Sequence, residues 1–255
     1  MTLNLNSFFR KSLITGMVLL LLDLLLQSFG APSFLVGLFA LATEKNIPTL
    51  YSTAIIAFSA ILLWACYKQN DTDQPKLIKK NFMVLSYIFT LLAIDEWISI
   101  HDVIGGSIGN AITPTLSAKF GAWTTVYFIL SVALLLFFSK FLFRLPKKTA
   151  VLFFTAGSIY VLGAIGFEYL ADEGITYSLA ALSALNLDAK VFLISIIEES
   201  LEITGILLFN YTLIQYLNQK YQITELKLNR NWVIGLSVFC IIDTVISQLV
   251  FFMNR

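Results

Sequence analysis

Apolar residues run along this chain in seven blocks, each close to the roughly 20 helical residues that cross a hydrocarbon core of about 30 Å. The pattern predicts membrane-spanning helices near 12–30, 49–67, 81–101, 122–143, 149–171, 190–217 and 232–253. The second and fourth are the least interrupted, and the sixth is long enough to tilt or to project beyond the bilayer. The connections are of two kinds. KQNDTDQPKLIKK, RLPKK and NQKYQITELKLNR are short, polar and basic. SFLVGLFALATEKN, VIGGSIGNAITPTLSA and GITYSLAALSALNLD are apolar and rich in small residues, so they are expected to lie in the interface as short helices or to re-enter over a cavity. No polar stretch is long enough for a separate soluble domain. The expected architecture is all-α: one membrane domain, residues 1–255, folded as a polytopic seven-transmembrane-helix bundle.

Composition agrees, because 58% of the 255 residues are hydrophobic, against about 45–50% in soluble domains. Charge gives the orientation. Arg10, Lys11, Lys68, Lys76, Lys79, Lys80, Lys140, Arg144, Lys147, Lys148, Lys220, Lys227 and Arg230 alternate onto one side of the predicted spans. Only Lys45, Lys119, Lys190 and Arg255 fall on the other. Thirteen bases against four place the N-terminus inside and the C-terminus outside (N-in/C-out). The first block resembles a signal peptide in its basic start, but Asp23 interrupts it and no A-x-A site follows, so it is read as a retained span. Cys66 and Cys240 both fall within spans, and neither a disulfide nor a zinc spacing is expected. No basic stripe exists for nucleic acid. The expected address is a bacterial inner membrane, with membrane lipid as the surroundings.

The acids depart from this apolar pattern. Of sixteen carboxylates, eleven lie in or at the lip of predicted spans: Asp23, Asp95, Glu96, Asp102, Glu168, Asp172, Glu173, Glu198, Glu199, Glu202 and Asp243. An ionised carboxylate at bilayer depth costs roughly 2.5–3.5 kcal/mol on insertion scales, so intramembrane acids are read as functional by default. With about 1.5 Å per residue, Asp95 and Glu96 fall about 8–10 Å below the outer boundary, and Glu198, Glu199 and Glu202 about 12–18 Å below it. On the third predicted helix Asp95, Ser99 and Asp102 share a face. On the sixth, Ser195, Glu198, Glu199 and Glu202 form a narrow polar stripe continued by Gly205. Glu168 with Asp172, Asp23 with Gln27, and Asp243 with Thr244 and Ser247 are expected in supporting pairs.

Several carboxylates brought together in low dielectric require protons or a cation. Oxygen ligands suit a divalent metal, Ca²⁺ among them, and one imidazole from His101 tilts the choice toward Fe, Mn or Zn. The expected metal- or proton-binding set is therefore Asp95, Glu96, His101, Asp102, Glu198, Glu199 and Glu202, with Glu168, Asp172, Ser99, Ser195, Asp23 and Asp243 in secondary roles. No Glu-x-x-His pair, P-loop, dinucleotide fingerprint, nucleophile elbow or HExxH motif occurs. Three functions fit this picture. A metal-dependent membrane enzyme would act on a lipid-soluble substrate. A proton- or cation-coupled transport component would need a path through the inner half, where little polar path is visible beyond Asn210 and Tyr211. A non-catalytic subunit would pair its acids with a membrane-protein partner, using Gly157, Gly163 and Gly166 for close helix packing.

Overall fold

A computed structural model describes residues 1–41, 43–69, 75–100, 122–171, 187–231, 235, 238 and 242–246, with backbone alone for 122–123, 168, 171 and 187–188. The described chain is mostly helical. Its elements run β1 (Thr2–Asn4), α1 (Leu5–Ser28), α2 (Ser33–Phe39), α3 (Ile47–Lys68), α4 (Lys76–Ile98), α5 (Ala122–Leu142) and α6 (Lys147–Val161). A π-helical turn (Leu162–Phe167) continues α6 into α7 (Glu168–Ala171), followed by α8 (Leu187–Tyr221) and β2 (Glu225–Lys227). Four stretches among the described residues are long and apolar enough to cross a membrane: Ile47–Lys68, Lys76–Ile98, Thr124–Leu142 and Lys147–Phe167. Helix α1 has 24 residues and α8 has 35, and both stand outside these four. The seventh predicted block falls mostly outside the described residues.

Two compact units divide the chain: Met1–Ile98 with Asn210–Arg255, and Ser99–Phe209. In the first, β1 pairs antiparallel with β2 in the register Thr2 with Lys227, Leu3 with Leu226 and Asn4 with Glu225. This ties the chain's start to the segment after α8, and Leu5 N–H donates to the Thr224 carbonyl to extend the tie. Asn4 then caps α1, its side chain accepting from Ser7 N–H at 2.9 Å.

The core of this unit lies between α3, α4 and the C-terminal part of α8, where Leu62, Leu63, Phe82, Leu213 and Leu217 are wholly buried. Their polar neighbours are satisfied within it. Ser59 Oγ donates to Asn210 Oδ1 at 2.7 Å, Asn210 Nδ2 to the Ile55 carbonyl at 3.0 Å, and Ser86 Oγ to the Ala60 carbonyl at 2.9 Å. Unpaired, each such group would be costly in apolar surroundings. Cys66 is a free thiol in the same core.

The connection from α1 to α3 contains the short helix α2, in keeping with the apolar, small-residue sequence there. The two later connections of that kind fall outside the described residues, apart from the backbone of 187–188. Asn46, fully buried, organises the first. It caps α3 by accepting from Thr49 N–H at 3.0 Å, while its amide donates to the Ala40 carbonyl and to Thr43 Oγ1. Pro48 occupies the first turn of α3, where a missing N–H is harmless. Replacing Asn46 with Ala removes both the cap and the loop bonds. Asn46→Ala should lose about 2–3 kcal/mol, read as a lower thermal midpoint in detergent, whereas an unchanged midpoint would contradict this role.

Candidate functional site

In the second unit the acid stripe of α8 lies against the end of α6. The two helices run antiparallel in backbone contact. A Cβ built on Gly205 would lie 2.7 Å from Tyr160 N and 2.8 Å from Tyr160 Cβ. One turn along, a Cβ on Gly163 would lie 2.9 Å from the Glu198 carbonyl oxygen, 2.9 Å from Glu202 Cγ and 3.1 Å from Glu202 N. No side chain fits at either crossing, so glycine is what lets α6 meet the acidic turn of α8 directly. The close packing expected from small residues on the fifth block is thus met at Gly163. It is not met at Gly157, which faces open space, or at Gly166, which meets Leu162 of its own helix.

Gly163 also lies inside the π-helical turn. A π-turn takes one residue more than an α-turn, so every position after it is displaced by about one residue, or roughly 100° of helical facing. Glu168 is the first residue after that turn. The sequence signal is GAIG at 163–166, where two glycines weaken the regular ladder. Asp172 lies outside the described residues.

Along α8, Ser195, Glu198, Glu199 and Glu202 are half-buried. Ile194, Ile203 and Gly205 are buried beside them, and Leu193, Ile197 and Thr204 are exposed. The stripe therefore marks the boundary between the packed and the exposed face. Each of the three glutamates has an interaction partner. A base shares this helix with them: Lys190 lies in the first turn of α8 and is only 7% exposed.

The other expected acids belong to the first unit. Asp95 and Glu96 are half-buried in the last turn of α4, which has no basic residue. Carboxylates at a helix C-terminus add to its negative end, which makes the place attractive to a cation. The helix stops at Ile98, and Ser99 has φ of +55°. Ser99 leaves the helical path, so Asp95 and Ser99 do not share one regular helical face; the helix expected to reach 101 is described as far as Ile98. His101 and Asp102 lie outside the described residues. Asp23 lies near the C-terminal end of α1 rather than its middle, is 1% exposed, and accepts from Gln27 Nε2 at 2.6 Å. It is a hydrogen-bonded packing residue. Asp243 is half-buried next to buried Thr244 in a short helical piece. Among the described residues no three of His, Cys, Asp and Glu come together as metal ligands.

Residues 12–216 match the family described as Domain of unknown function (DUF8692), and the chain belongs to that family. No curated protein and no solved structure matches the chain.

The crossing at Gly163 has a direct consequence for stability. Gly163→Ala must push apart two backbones and should cost about 1–3 kcal/mol, as overpacking does. Gly157→Ala, in open space, should be neutral or stabilising by up to about 1 kcal/mol. Thermal unfolding of the two variants in detergent measures the difference, and equal midpoints would contradict the crossing.

Proposed function

We propose that this protein is a metal-dependent membrane enzyme whose carboxylates hold a divalent cation toward the outer side of the membrane and act on a lipid-soluble substrate. The observation that carries the reading is the backbone contact between the π-turn and the Glu198–Glu202 turn of α8. It holds half-buried acids in a fixed position at the border of the packed and exposed faces. A fixed oxygen donor set suits a metal, and an exposed apolar face beside it suits a substrate arriving from lipid. Glu199 and Glu202 are the proposed ligands, with Glu198 and Ser195 supporting them. Asp95 and Glu96, followed in the chain by His101 and Asp102, form a second cation-attracting group at the end of α4. The metal would supply Lewis acidity and an activated water.

The proposed setting is seven spans with the N-terminus in the cytoplasm of a bacterial inner membrane. Its support is the alternation of thirteen bases against four along the sequence. A second reading, proton- or cation-coupled transport, draws on the π-turn, a helix irregularity frequent at functional sites that here lies against the acid stripe. The first unit favours the enzyme over a conduit. Its part of α8 carries Asn210, Leu213, Ile214 and Leu217 at 2% exposure or less, and Asn210 already has both its amide groups engaged.

Elemental analysis of detergent-purified protein is the test. Stoichiometric iron, manganese, zinc or calcium is expected, and should fall at least about tenfold in Glu199→Ala with Glu202→Ala, the usual scale for losing ligand shell groups. Metal content that survives both substitutions, or no metal at all in the unsubstituted protein, contradicts the enzyme reading. For orientation, a cysteine placed at Asn70 should react with an impermeant thiol reagent only from the cytoplasmic side.

A further inference from the structure

A second feature lies in the first unit, where α3 ends and α4 begins. Lys68 Nζ stands 5.4 Å from the centroid of the Trp64 ring and 5.9 Å from that of Tyr67, and Lys79 Nζ stands 5.7 Å from Tyr67. Two ammonium groups thus share one phenol ring. Lys220, at the end of α8, lies 5.3 Å from Tyr221 and 5.8 Å from Tyr216, and the Tyr216 ring lies 5.4 Å from that of Phe82 near the start of α4, which puts it at the same end of the unit. Cation–π seating holds an amine at the edge of apolar surface while leaving its other donors available.

Beyond the amines the surface is apolar. Along α4, Lys80, Tyr87, Leu91, Ile94 and Ile98 repeat on one helical face and are all exposed, Tyr87 at 55% and Leu91 at 65%. Along α3, Ile61, Trp64 and Lys68 do the same. Trp64 and Tyr87 meet edge-on at 6.1 Å, which joins the two stripes into one surface. Its shape is that of an amphiphile: positive at one end, apolar over several helical turns behind it.

We propose that this surface seats an anionic phospholipid, its headgroup phosphate at Lys68 and Lys79 with Lys220 adding to the field, and its acyl chains along Ile61, Trp64, Tyr87 and Leu91. The positive end sets the sign of the ligand. The apolar stripes select a lipid over a soluble anion, which would leave them uncovered. The site rests on the two adjoining membrane-length helices and is independent of the carboxylate reading.

Native mass spectrometry of the full chain released from detergent tests it, with phosphatidylglycerol and phosphatidylcholine of equal chain length offered together. Phosphatidylglycerol should be retained in preference. Lys68→Gln with Lys79→Gln should weaken that retention about fivefold for each lysine, the scale of one base beside an anionic surface. Lys147→Gln with Lys148→Gln, at the start of α6, should leave it unchanged, as should excess inorganic phosphate. Equal retention of the two lipids, an equal loss from the control pair, or displacement by phosphate alone would overturn the proposal. Lys68→Arg with Lys79→Arg keeps the charge and should restore retention, which separates lost binding from lost folding.

Discussion

Two glycines allow the contact on which the carboxylate site depends. At Gly205 and Gly163 the backbones of α6 and α8 come so close that a single methyl group would collide with peptide atoms. Side chains on a helix surface normally hold neighbours 8–10 Å apart, and their absence here brings the acidic turn of α8 against a π-helical turn. Without that approach Glu198 and Glu202 would be acids on the side of a long helix. With it they lie between a packed face and an exposed one.

The same packing logic closes the other unit. Where α8 passes into it, Asn210 is consumed in bonds with Ser59 and the Ile55 carbonyl of α3. Around them lie wholly buried leucines. One continuous helix therefore carries half-buried acids in its N-terminal half and a sealed apolar core in its C-terminal half.

Helical content and the position of most helices were legible in the pattern of apolar blocks, because a block of that length has few alternatives in lipid. Helices α3 and α5 match the second and fourth blocks within two residues at each end. Sequence also found the acid stripe, since i, i+3, i+4, i+7 spacing survives folding into a regular helix. It failed where the backbone departs from that regularity. Ser99 lies in the left-handed region and residues 162–167 form a π-turn, and neither departure is encoded in the i, i+3, i+4 spacing of polar residues. The burial of Lys190 and of Asp23 depends on contacts between elements that spacing along one helix does not reveal, whereas the Asp23–Gln27 pair was legible in it.

The central claim is that glutamates of α8 are neutralised by a bound cation. Infrared difference spectroscopy of metal-stripped protein, before and after a divalent cation is added, addresses it at the level of the groups themselves. The account predicts a change in carboxyl absorption on cation addition that disappears in Glu199→Gln with Glu202→Gln. A spectrum that does not respond to the cation, or a response that persists in the double variant, would contradict it.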